Sequence, residues 1–252
     1  VDATRIAGMT SMPELFAVAA DALNALTGLE ARLYEPLLAA LPVDGASVST
    51  FGDIPAAETI SDSDAQSFRL DELQFDLGEG PCWDALETAA PVLEPDIRER
   101  PNRTWPAFSE ATLADDLGGV FAFPLILGPV RIGAIDLYTN RPYRLSSQSV
   151  QQISSLATVV SRLVLSRAIR LSHSEIESEP DGATRQKFSR REIHQATGMV
   201  LAQLRIPAAD ALLVMQGHAF SAGRSMAEIA GEIIDRRLSF AVIESQIEGS
   251  HD

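Results

Sequence analysis

The chain has 252 residues, 46% of them hydrophobic, and a formal net charge of −15, enough material for one large domain or two ordinary ones with a proper core. Its single cysteine, Cys82, excludes an internal disulfide framework and a cysteine-rich metal site. No run approaches the roughly 18 apolar residues of a membrane span, and the first residues lack the basic-then-apolar pattern of a secretory signal, so the expected setting is the cytoplasm, away from membranes.

Ser11, Pro13 and Glu14 predict a helix start with a capping box, and an amphipathic helix follows through "LFAVAADALNAL". "GASVSTF" (45–51) alternates and predicts a strand. "DAQSFRLDELQFDLGEGP" reads as a loop or short strand before a Gly/Pro break. "CWDALETAA" predicts a short helix, "PVLEP" a short strand and "TWPAFSEATLADDL" a helix. From Gly119 the β signal is clearest. "GVFAFPLIL" and "RIGAIDLYTN" predict two strands joined by a tight turn at Gly128 and Pro129. Helices and strands interleave too irregularly for repeated βαβ units, which points to an α+β fold: an antiparallel sheet with packed helices.

From Ser146 to Ile176 the pattern becomes one long helix. Val150, Ile153, Ala157, Val160 and Val164 fall on a heptad-like seam, which predicts a coiled-coil-like connector pairing two chains in a homodimer. The plainer alternative is a helix packed on its own sheet; the expectation combines the two, with the first turns packing locally and the rest pairing. "HSEIESEPDGATRQ" (173–186) is polar and reads as a hinge. Three short helices follow. Ile193, Ala196, Val200 and Leu204 line the first; Ala211, Leu212, Met215 and Ala219 line the second, which Pro207 begins. Ser225 and Glu228 form a capping box for the third, with Met226, Ile229, Ala230, Ile233 and Ile234 on its buried face. The tail "SQIEGSHD" reads as frayed.

Charge divides the chain. The first 184 residues hold 12 Arg against 27 Asp and Glu, and the last 68 hold eight cations against eight acids. The acidic part is therefore the larger domain, and the neutral part opens with a local basic run, Arg185, Lys187, Arg190 and Arg191. Chemistry is sparse. The four histidines are His173, His194, His218 and His251, so the α+β part lacks the commonest general base and metal ligand. An enzyme is the least favoured class. No metal or cofactor is expected: the missing histidines argue against a His-ligated haem. Cys82, after a glycine turn, reads as a buried structural cysteine, with a redox sensor as the alternative. Asp76, Glu79 and Asp84 read as loop acids and a helix-start charge.

"LQFDLGEGPCWDALETAAPVLEPDI", "WPAF" and "GGVFAFPLILGPVRIGAIDLY" resemble a GAF domain of the actinobacterial kind. "REIHQATGMVLAQLRIPAADALLVMQGHAFSAGRSMAEIAGEIIDRRL" resembles an ANTAR domain across three helices. The two in this order are similar to GAF–ANTAR antitermination regulators. The expected division is a GAF sensor at 12–146, a connector helix and hinge at 147–184, and a three-helix ANTAR bundle at 185–243. The resemblance implies binding of tandem RNA hairpins, so that a terminator does not form in the nascent transcript. It also implies a space between sheet and helices for a small ligand, for which Cys82, Trp83, Phe121 and Phe123 are candidate lining. A GAF domain that only dimerises is the other option, and Cys82 followed by Trp argues against a phytochrome-type bilin.

The RNA face is assigned to Arg190, Arg191, His194, Gln195, Thr197 and Gly198, with Arg224 at the second turn. Arginine and glutamine supply phosphate and base-edge contacts, and small residues admit a close approach. Gly198 is equally well explained by close packing of the second helix. Thr197 stands where many ANTAR domains carry lysine, and Gly223 where many carry asparagine. The rival reading is a dimeric module whose helical bundle binds a protein.

Overall fold

The computed structural model describes residues 11–26, 32–51, 58–99, 104–174, 188–243 and 246–251. In chain order the first unit contains α1 (Met12–Ala25), α2 (Tyr34–Ala40), β1 (Gly45–Thr50), β2 (Glu58–Asp62), α3 (Ala65–Leu77), α4 (Pro81–Thr88), β3 (Val92–Glu94), α5 (Pro106–Ala111), β4 (Gly119–Leu127), β5 (Val130–Thr139) and α6 (Ser147–Ser174). The second contains α7 (Phe188–Leu204), α8 (Ala208–Ala222), α9 (Met226–Ile234), β6 (Leu238–Ile243) and β7 (Gln246–His251). The chain divides into two compact units, each taken by itself below.

The first unit is built on a five-stranded antiparallel sheet in the order β2-β1-β5-β4-β3. Every residue of β1 is buried, rather than alternate ones, because helices cover both faces of the sheet. On one face Ala46, Val48, Phe121, Phe123, Leu125, Ile135 and Leu137 join residues of α1, α2 and α6 in a single core. On the other, Ala122 and Ala134 pack with Cys82 and Ala85 of α4. Gly133 is obligatory where β5 crosses β1, since a Cβ there would lie 1.9 Å from the Ser49 carbonyl oxygen. Pro124 is tolerated inside β4 because β3 pairs only with Val120–Ala122, so no ladder on that side is broken.

Several expectations change. The capping box at α1 forms, with the Ser11 N–H donating to Glu14 Oε2 at 3.3 Å. The segment read as a loop or short strand is helix α3. Its inward positions, Ser67, Leu70, Asp71 and Gln74, have helical spacing and are buried. Three of the four are polar, which hides the hydrophobic period. Asp64 starts this helix by accepting the backbone N–H groups of Gln66 and Ser67, both at 2.9 Å.

The seam of α6 is also corrected. Ile153, Ala157, Val160 and Val164 are buried in the core shared with the unit's own sheet, and Val150 packs beside them. Residues already covered within one chain are not a free pairing face, so the stretch of α6 up to Val164 packs on its own sheet. The polar stretch 173–186 lies outside the described residues except for His173 and Ser174, which end α6.

In the second unit, Ile193, Ala196, Val200 and Leu204 of α7, Ala211, Met215 and Ala219 of α8 and Met226, Ile229, Ala230 and Ile233 of α9 are buried where the three helices pack together. The capping box at α9 is complete, with the Glu228 N–H donating to Ser225 Oγ at 3.2 Å and the Ser225 N–H to Glu228 Oε2 at 3.0 Å. The tail differs from the frayed end expected: β6 and β7 pair antiparallel from Leu238↔His251 to Ile243↔Gln246. "LSFAVI" has a period of two that buries Leu238 and Phe240. The Phe240 N–H donates to Gln203 Oε1 at 2.9 Å, and its ring meets His218 edge-on at 5.4 Å, so the hairpin belongs to the bundle.

Candidate nucleic-acid interface

α7 positions the residues assigned to RNA. Ile193, Ala196 and Val200 fix its inward face, so His194, Gln195 and Gly198 point outward and are exposed. A Cβ added at Gly198 would meet nothing within 4 Å. Close packing of α8 therefore does not require this glycine, and the open position is a property of the surface. Arg190 and Arg191 lie in the first turns of α7; their side chains lie outside the described residues.

Thr197 does not belong to this face. It is buried, its hydroxyl donates to the Ile193 carbonyl at 2.7 Å, and Met215 Sδ lies 3.6 Å away. One position separates it from Gly198, about 100° around the helix, and that rotation carries it into the bundle. Arg224 is half-buried and ion-paired with Glu232 at 2.9 Å, and its hydrogen bond to that carboxylate raises its pKa further. Gly223 caps α8 in the left-handed region at φ +64°. Glycine and asparagine are the two residues that cap suits, so this departure preserves the local conformation.

The interior of the first unit separates the proposed ligand lining. Phe121 and Phe123 are buried on the α6 side of β4, whereas Cys82 and Trp83 lie with Ala122 on the opposite side. Residues two apart on a strand share a face and their neighbours take the other, so these four side chains do not line one cavity. The Cys82 side is the polar one. Gln74 is fully buried: its Nε2 donates to Asp136 Oδ2 at 3.2 Å, and its Oε1 accepts the Cys82 N–H at 2.8 Å. Its carbonyl accepts Trp83 Nε1 at 2.7 Å. Thr59 donates to Asp71, a fully buried carboxylate, and Ser49 Oγ is buried without a partner among the described residues. Sequence reasoning missed this polar layer. The available signal was polar residues at helical spacing in α3 opposite serines on β1.

The acids near Cys82 have structural uses. Glu79 accepts the Phe108 N–H at 2.7 Å and Asp84 accepts Trp105 Nε1 at 2.9 Å. Burial, then the charges of Asp71 and Asp64, push the Asp62 carboxyl above its ordinary range. Among the described residues no group of three or more His, Cys, Asp or Glu is arranged to hold a metal ion, and no single helix is long and apolar enough to cross a membrane.

Comparison with known proteins places these observations. A GAF domain model matches residues 12–164 and an ANTAR domain model matches residues 184–234. No curated protein matches the chain. Among solved structures, the GAF domain of a phosphoenolpyruvate-protein phosphotransferase from Coxiella burnetii is 18% identical, covering 66% of this chain and 95% of that one at a TM-score of 0.46. The corresponding GAF domain from Acinetobacter is 13% identical, covering 69% and 100% at 0.49. Free methionine-R-sulfoxide reductase from Neisseria meningitidis is 12% identical, covering 64% and 91% at 0.45. The first match takes in the sheet unit and most of α6, and the second takes in all three helices of the bundle. The chain belongs to the GAF family and carries an ANTAR domain behind it, the organisation of a GAF–ANTAR regulator.

Proposed function

We propose that this protein is a non-enzymatic, cytoplasmic antiterminator. In this reading the ANTAR bundle (185–243) binds two successive hairpins of a nascent transcript, and the GAF unit (12–146), through the connector (147–184), makes that binding responsive to a small ligand or to pairing of two chains. The observation that carries it is the outward face of α7: His194 and Gln195 stand exposed beside a glycine with open space above it. Histidine and glutamine offer hydrogen bonds to base edges, and a bare backbone lets a splayed base or phosphate approach. The basic start of α7 supplies charge where the rest of the chain is acidic. The test is binding of the full chain to two-hairpin leader RNAs at low and moderate salt. The expected result is affinity that falls with salt and is lost in an Arg190→Ala/Arg191→Ala variant. Absence of binding at both salts overturns the reading.

One observation favours a second reading, a protein-binding bundle. Leu213 and Phe220 on α8 are each 64% exposed, and α8 contains no Arg or Lys. That face is apolar, unlike α7. Leu213→Ser/Phe220→Ser variants that keep RNA affinity intact and lose a protein partner would support it. Unchanged partner binding would remove it.

A further inference from the structure

We propose that Arg205 is a phosphate contact that completes the RNA face at the far end of α7. This rests on the RNA-binding reading and adds a residue to it. Positions three and four apart on a helix share a face. His194, Gly198, Leu201 and Arg205 follow that spacing, and all four are exposed. Arg205 directly follows α7, and its N–H still donates to the Leu201 carbonyl at 2.8 Å, which fixes its backbone at the end of that stripe. From His194 to Arg205 the stripe runs for about 16 Å at 1.5 Å per residue, with an open glycine and an apolar leucine between its polar ends.

The other arginines of the described bundle help to single this one out. Arg224 is held by Glu232 at 2.9 Å, and Arg237 by Glu232 at 3.2 Å and Asp235 at 3.0 Å. Arg205 has no ion pair among the described residues and faces solvent. Its backbone sits at φ +56°, in the left-handed region where glycine is at ease and a side chain is strained. A cation near a helix C-terminus is favoured by the dipole, so a comparison is needed. Arg236, at φ +61° beyond the end of α9, has the same conformation and exposure. It lies off the α7 stripe.

The experiment uses the full chain with Arg205→Gly and Arg236→Gly made singly. Binding to a two-hairpin leader RNA is followed from about 50 to 200 mM salt, and each variant is melted. Both variants should melt at or above the wild-type temperature, because glycine relieves the same strain. Arg205→Gly alone should weaken binding and flatten the slope of log K against log salt by about 0.7–0.9, one phosphate's share. That amounts to about threefold less affinity lost across this salt range. A wild-type slope in Arg205→Gly overturns the assignment and leaves the RNA reading standing. Equal flattening in both variants also overturns it, since the effect is then net charge rather than place. Wild-type protein without salt-dependent RNA binding overturns both.

Discussion

Replacing Gly198 by alanine separates two explanations of the same residue. In a helix interior alanine is favoured over glycine by about 0.8–1.0 kcal/mol. The added methyl meets nothing within 4 Å, so no steric term opposes that gain. The bundle should therefore become more stable by about 1 kcal/mol, which raises Tm by about 4–8 °C for a domain of this size. RNA binding should move the other way. If a base or phosphate seats against the bare backbone, one extra methyl acts like overpacking, at about 1–3 kcal/mol. Kd then rises about five- to 150-fold. Thermal melting of the full chain and titration with a two-hairpin RNA read the two effects. A lower Tm would mean that Gly198 packs against a neighbour and that the open surface described above is wrong. A higher Tm with unchanged Kd would remove the outward face of α7 from RNA contact.

Other outcomes follow from the packing. Ile153→Ala should destabilise the GAF unit by about 2–5 kcal/mol at every protein concentration, because Ile153 is fully buried within one chain. A loss seen only on dilution would restore the pairing seam. Asp64→Ala removes a cap and should lower stability at pH 7 by about 0.5–2 kcal/mol. Burial pushes the Asp64 carboxyl up. Hydrogen bonds from the Ser63 hydroxyl, the Ser67 N–H, the Tyr138 hydroxyl and the Gln66 N–H outweigh it and hold the carboxyl below its ordinary value. The charge-dependent part of the stabilisation is thus present above the unfolded value of about 3.9 and is lost as pH falls through the lower folded value. Denaturant midpoints for wild type and variant should converge over that window, and a constant gap would contradict it. Cys82 is fully buried and should react with a thiol reagent only as the protein opens. Rapid labelling of the native chain would revive the redox reading.

The legible parts of the sequence were those with one clear period or one cap. The hairpin β4–β5, the capping boxes at Ser11 and Ser225, and the inward faces of α7 and α9 could all be read before the structure. The rest failed for identifiable reasons. α3 hides because Ser67, Asp71 and Gln74 are polar and face inward. The α6 seam was legible as apolar, but periodicity does not say whether an apolar stripe meets its own sheet or a second chain, and the sheet occupies it. Phe121 and Phe123 were grouped with Cys82 as ligand lining on the GAF resemblance, while the alternation of β4 sends them to the opposite face. Of the residues assigned to RNA, His194, Gln195 and Gly198 stand on the outward face of α7, as the inward positions around them require. Thr197 was misplaced by one residue of helical rotation, which carries it into the bundle.

The central claim is that the outward face of α7 holds RNA in a form that prevents termination. Single-round transcription across a terminator preceded by two hairpins tests it directly, comparing the full chain with a His194→Ala/Gln195→Ala variant. The account predicts that read-through rises with wild-type protein and stays at the protein-free level with the variant. Equal read-through with both proteins, or none with a wild-type protein that binds the RNA, would contradict it.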